Sequence, residues 1–77
     1  YQPGKLLVRG DTPLFKIERL LGVDLDHIEA DTLAGLIYET LNRMPEEEEA
    51  LETSGLRIIV KKMKGPKVVL AKVVKHD

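Results

Sequence analysis

The sequence predicts an α+β domain in which two helices pack on one face of a small antiparallel sheet, in the order β-α-α-β-β-β. Three observations predict it. Two capped amphipathic segments, residues 10–22 and 31–45, fill the first half of the chain. Three strand-like segments fill the second half, divided by the turn pairs Ser54-Gly55 and Gly65-Pro66. A chain of 77 residues is one domain, and at that size it buries only roughly 60% of its unfolded surface.

Leu6, Leu7 and Val8 with Arg9 form a short first strand that ends at Gly10 and joins the sheet. Asp11 and Thr12 offer side-chain oxygens to the free amides of a coming helix, and Pro13 suits its first turn. Leu14, Ile17, Leu20 and Leu21 lie on one helical stripe, and Gly22 ends the helix in a left-handed conformation. An acidic connector with Asp24, Asp26 and Glu29 follows. Asp31 is the expected N-cap of the second helix, whose stripe is Leu33, Leu36, Ile37 and Leu41 with Met44 behind it, and Pro45 stops it. Gly35 lies inside that helix, where glycine costs about 1 kcal/mol relative to alanine, so it implies close approach of another element.

After the acidic run Glu46, Glu47, Glu48 and Glu49 comes a short strand at residues 51–53. Leu56, Ile58 and Val60 alternate as a one-sided strand, and the period then slips at Lys62 and Met63, which a β-bulge near Lys61 repairs. Residues 68–74 are almost continuously apolar, the pattern of a central strand.

Composition excludes several classes. At 43% hydrophobic and 32% charged the chain is globular. With no cysteine it has neither a disulfide framework nor a thiolate metal site. No apolar run approaches the ~20 residues of a membrane span. The start, YQPGKLLVRG, lacks a signal-peptide pattern and a Met, and reads as a piece excised from a longer chain. The net charge of −1 hides a split: residues 1–55 carry −7 and residues 56–77 carry +6.

Three segments in this order resemble one family: GDTPLFKIERLLGVDL at 10–25, DTLAGLIYETLNRMP at 31–45 and SGLRIIVKKMKG at 54–65. The resemblance is to the transporter-associated (CorC/HlyC) domain, and it covers essentially the whole chain. It implies a fold related to half of a PCMH-type FAD-binding domain. It implies a parent with paired CBS domains, of the magnesium and cobalt efflux or hemolysin-like kind, at the cytoplasmic side of the cell membrane. The chain departs from the family pattern in three places. Glu48 and Glu49 stand where a glycine usually precedes an acid. Thr53 and Ile58 stand where aromatics are frequent. Lys72 and Lys75 stand in a last strand that often carries several arginines.

The candidate chemistry is sparse. No Ser/His/Asp set falls on recognisable elements, and His27 and His76 lie in a loop and a tail, so no catalysis is expected. Glu46, Glu47, Glu48 and Glu49 offer oxygen ligands for a weak divalent-cation site, although consecutive residues seldom converge on one ion. FAD or an adenine nucleotide enters by fold kinship alone, since the six glycines form no phosphate loop. Arg57, Lys61, Lys62, Lys64 and Lys72 form a basic interaction face on the sheet. Sheet-based nucleic-acid readers stack bases on strand aromatics, and none stands on these strands, so nucleic acid is not expected. The resulting expectation is a non-catalytic regulatory domain of a divalent-cation transporter. It would contact the CBS and membrane domains of its parent or a second copy of itself; the alternative is a small-molecule sensor.

Overall fold

The computed structural model describes residues 4–75. Its elements are β1 (Lys5–Arg9), α1 (Leu14–Leu21), α2 (Leu33–Leu41), β2 (Ala50–Thr53), β3 (Leu56–Lys64) and β4 (Lys67–Lys75). The strands form one antiparallel sheet in the order β1-β4-β3-β2. The apolar last strand is therefore central, as its composition requires, and the first strand closes one edge of the sheet beside it. Both helices cover one face. Leu14, Ile17 and Leu21 of α1 and Leu33, Leu36 and Ile37 of α2 pack with Leu6, Leu51, Ile58, Val60, Ala71 and Val73 of the strands. Burying this set supplies the main drive to fold. Among the described residues no polar or charged side chain is buried with it.

The turn chemistry is as the sequence reads. Ser54 and Gly55 both take positive φ, 56° and 78°, which is the twist a two-residue hairpin needs. Gly65 does so at the first position of the β3–β4 turn, with φ 58°. The expected bulge is present: the pairing jumps from Val60↔Ala71 to Lys62↔Leu70, leaving Lys61 unpaired. A second irregularity lies opposite, because Leu70 pairs with Lys62 and Val68 with Met63, leaving Val69 out. The two together bring Met63 and Val68 back toward the core.

The helix ends differ from the sequence reading. Neither Asp11 nor Thr12 caps α1; Pro13 holds the N-cap position and makes no side-chain cap bond. Thr32, not Asp31, caps α2, its Oγ1 accepting from the Gly35 amide at 3.2 Å. The two helix starts satisfy one another through the backbone instead. The Leu14 amide donates to the Asp31 carbonyl at 2.9 Å, and the Leu33 amide to the Thr12 carbonyl at 3.0 Å. The Ala34 amide donates to the Gly10 carbonyl at 2.8 Å. Free N-terminal amides are thus paired without carboxylates.

Further positions correct the sequence reading. Leu20 and Met44 are about half exposed, at 54% and 49%, and lie off the buried stripes. Helix α2 ends at Asn42, which takes the left-handed conformation at φ 54°, three residues before Pro45. Gly35 does lie in a tight place, but its neighbours are the preceding loop: a Cβ there would stand 3.3 Å from the Ala30 Cβ and 3.4 Å from Thr32 Oγ1. Glu48 adopts φ 68° where the resembled family favours glycine.

Candidate functional site

The helices leave one face of the sheet bare, and alternation along the strands decides what stands on it. Leu6 and Val8, Ala71 and Val73, Ile58 and Val60, and Leu51 point to the core. Their neighbours point the other way. Across the strands these form rows: Lys5, Val74, Arg57 and Glu52; then Leu7, Lys72, Ile59 and Ala50; then Arg9, Leu70 and Lys62. The bare face is therefore a checkerboard of apolar and basic side chains, with Lys72 at its middle between Leu7 and Ile59. Leu7 is its most exposed apolar residue, at 63%. Cationic side chains of this kind cover apolar surface with their stems while keeping their charges in water.

This arrangement divides the sequence-predicted basic set. Arg57, Lys62 and Lys72 share the bare face, and Lys64 lies at its hairpin end. Lys61 does not join them: it sits in the bulge, its Nζ 3.0 Å from Glu48 Oε2. Lys5 and Arg9 join the face from β1, and sequence reasoning missed them. The signal that would find them is strand order, since β1 meets the basic strands only by pairing with β4.

The four glutamates do not converge. Glu47 Oε2 accepts the Met63 amide at 2.9 Å, satisfying a backbone donor beside the bulge. Glu48 pairs with Lys61. Glu49 is gripped by the Arg43 guanidinium, with Nη1 3.0 Å from its Oε1 and Nη2 on Oε2, and it also accepts the Glu46 amide at 3.0 Å. These bonds hold the Glu49 carboxyl below the usual carboxylate range, Arg43 first and the Glu46 amide next. The same pair raises the Arg43 guanidinium above its ordinary value. The run is thus bonded to Arg43, just beyond α2, and to β3.

A different set of acids does meet. Carboxylate oxygens of Glu18, Asp24 and Asp26 lie within 4.8 Å of one another. Gly22 turns the chain back at the end of α1, with φ 68°, and the Leu25 amide then donates to Glu18 Oε2 at 2.7 Å. Asp24 Oδ1 accepts from the Asp26 amide at 3.0 Å. The sequence showed only an acidic connector here, because Glu18 belongs to the helix before it.

Histidine adds little. His27 Nε2 stands 3.5 Å from Ser54 Oγ at an exposed turn. No helix among the described residues is long and apolar enough to cross a membrane.

Comparison with known proteins fits this architecture. The transporter associated domain (CorC_HlyC) family matches residues 2–77. The chain belongs to that family. A conserved protein of unknown function from Haemophilus influenzae Rd KW20 has a solved structure with 31% identity and a TM-score of 0.84, covering 97% of this chain and 93% of that one. A CorC_HlyC domain of a Xylella fastidiosa Temecula1 hemolysin, solved in complex with Mg2+ and Mn2+, has 22% identity and a TM-score of 0.82, covering 100% and 94%. A region from Neisseria meningitidis MC58 associated with CorC, there named a candidate Mg2+ and Co2+ transporter, has 20% identity and a TM-score of 0.84, covering 96% and 91%. None of the curated proteins compared matches the chain. As a CorC_HlyC domain, it is of the kind found with CorC and hemolysin-like proteins.

Proposed function

We propose that this CorC_HlyC domain is a non-catalytic regulatory module of a longer, membrane-associated parent, where it modulates divalent-cation transport from the cytoplasmic side. It acts by docking the bare face of its sheet against a neighbouring domain of that parent, the CBS domains first among them. One observation carries this reading: a sheet face on which Leu7, Ile59, Leu70 and Val74 alternate with Lys5, Arg57, Lys62 and Lys72. Exposed apolar side chains give such a surface area to bury against a partner, and the interleaved cations select an acidic counterpart. Transport by the whole parent is the test. Leu7→Glu with Lys62→Glu alters exposed residues that are not cross-strand partners, so the domain should keep its fold by circular dichroism while ion flux changes. Unchanged flux with a folded domain refutes the docking reading.

A second reading has its own observation. The carboxylates of Glu18, Asp24 and Asp26 offer a hard cation several oxygen ligands, and the Xylella relative was solved with Mg2+ and Mn2+. Under this reading the domain senses a divalent ion at the end of α1. Calorimetric titration with Mg2+ and Mn2+ should then give heat that Asp24→Asn abolishes; no heat with the wild type refutes it.

A further inference from the structure

We propose that the cleft between the end of β1 and the β3–β4 hairpin binds a phosphate-type dianion. The cleft has a volume of about 220 Å³. Gly10, Val68 and Val69 line it, and Arg9, Lys64 and Lys67 stand around it. That volume is below the ~300–1,000 Å³ of pockets for drug-sized ligands. It suits a single phosphate group and not a whole nucleotide.

Charge is the first argument. Lys64 and Lys67 are direct partners across the hairpin. Like charges set opposite one another on a sheet destabilise it, and the Gly65-Pro66 turn between them needs no lysine on either side. Arg9 brings a third cation to the same cleft from another strand, where it pairs opposite Leu70. Among the described residues Asp11 is the one acid lining the cleft. Its oxygens sit 3.3 Å and 3.5 Å from Arg9 Nε and Nη2, long contacts between well-exposed side chains. Positive charge thus exceeds negative charge within the cleft, and a bound dianion would reverse the repulsion between the two lysines. Arginine supplies a flat fork for phosphate oxygens and the lysines supply point charges.

Rigidity is the second argument. The Tyr38 hydroxyl donates to the Pro66 carbonyl at 2.7 Å and accepts from the Val68 amide at 3.3 Å. It pins the turn to α2, so the backbone cannot relieve the lysine repulsion by splaying. On the other wall the Gly10 amide donates to the Val69 carbonyl at 3.1 Å, fixing the end of β1. The backbone that carries the cations is held in place, so binding has only their exposed side chains to order.

The dianion has two sources, a soluble phosphate or the monoester headgroup of a lipid. The experiment follows backbone amide chemical shifts of the 77-residue chain during titration with inorganic phosphate against chloride at matched ionic strength. A parallel arm measures retention on phosphatidylcholine vesicles containing phosphatidic acid, against vesicles of equal charge made with phosphatidylserine. The expected result is saturable shifts at Gly10, Asp11, Lys64 and Lys67. Lys64→Gln with Lys67→Gln should weaken binding roughly tenfold or more, the effect of losing charge-assisted contacts. The same double variant should melt no lower than wild type in chloride, since it removes a repulsion, yet gain nothing from phosphate. Saturation by free phosphate assigns a soluble anion; retention on phosphatidic acid vesicles alone assigns a headgroup. Shifts indistinguishable from chloride together with no preference for phosphatidic acid overturn the proposal, as does equal binding by the double variant.

Discussion

Gly10→Ala is the most demanding test of the structure, because it adds one carbon at the point where β1, α2 and β4 converge. A Cβ on Gly10 would stand 2.1 Å from the Val68 carbonyl oxygen and 3.0 Å from its carbon. Comfortable contact between such atoms begins near ~3.5 Å, and the obstacle is backbone, which cannot rotate away. The two strands must therefore part by more than ~1 Å. Two hydrogen bonds depend on that approach, Gly10 amide to Val69 carbonyl at 3.1 Å and Ala34 amide to Gly10 carbonyl at 2.8 Å. Overpacking of this kind costs about 1–3 kcal/mol, and each weakened bond adds about 1 kcal/mol. The loss of unfolded-state freedom offsets about 0.4–1 kcal/mol. The net expectation is about 2–4 kcal/mol, a large share of the roughly 4–12 kcal/mol a chain of this length possesses. At about 4–8 °C per kcal/mol the midpoint should fall by at least ~8 °C. Thermal and urea unfolding followed by far-ultraviolet circular dichroism would read it. Gly35→Ala is the control: its Cβ meets only the Ala30 Cβ and Thr32 Oγ1 at 3.3 Å and 3.4 Å, and a gain of about 1 kcal/mol in helix propensity opposes that crowding. A Gly10→Ala midpoint close to that of wild type would refute the convergence of β1 on β4 described above.

Thr32→Ala should cost about 1 kcal/mol by removing the α2 cap, whereas Asp31→Ala, which contributes a carbonyl and no cap, should stay within ~0.5 kcal/mol; denaturant midpoints separate the two. Tyr38→Phe should cost about 1 kcal/mol, since it strips a partner from the Pro66 carbonyl and the Val68 amide, and amide exchange at Val68 should quicken. The lowered Glu49 carboxyl sets a pH dependence. A group depressed in the folded state contributes stability that is present above its unfolded value, near ~4.3 for glutamate, and lost as pH falls through the folded value. Melting of the wild type should thus fall more steeply with acid below that point than melting of Glu49→Gln, and parallel curves would show that Arg43 does not hold the carboxylate.

What the sequence disclosed and what it hid divide along the reach of each interaction. Helices, hairpin turns and the bulge were legible because each depends on residues a few positions apart: Ser54 with Gly55, or Val60 with the slip at Met63. The caps were misread because serving the amides of α1 and α2 takes two loops about twenty residues apart in sequence, whose carbonyls at Thr12 and Asp31 are exchanged. The side chains of Asp11, Thr12 and Asp31 suit caps, but the carbonyls of Thr12 and Asp31 serve those amides instead. The basic face was half legible for the same reason. Arg57, Lys62, Lys64 and Lys72 lie on consecutive strands, but Lys5 and Arg9 reach them only through the pairing of β1 with β4. The Glu18, Asp24 and Asp26 group needed the reversal at Gly22.

The sequence split of charge becomes a spatial one in the fold, and that has a consequence for self-association. Most acids gather on the helices, the connector and the loop before β2, while the bare sheet face carries Lys5, Arg9, Arg57, Lys62 and Lys72 against the acid Glu52. Two copies meeting through their sheet faces would oppose cation to cation. Edge pairing of β1 with a second β1, antiparallel and centred on Leu7, would set Lys5 of one copy opposite Arg9 of the other on the same face, which is unfavourable. Lysines and arginines on an edge strand are a recognised means of discouraging such pairing. A head-to-tail contact, helix side to sheet side, would satisfy the charges but does not close into a dimer. The charge pattern therefore disfavours a symmetric dimer through this face and leaves the basic surface open to an acidic partner or a phosphate. Sedimentation at low salt, where repulsion is strongest, should find a monomer, and a symmetric dimer joined through the sheet under those conditions would overturn this reading of the surface.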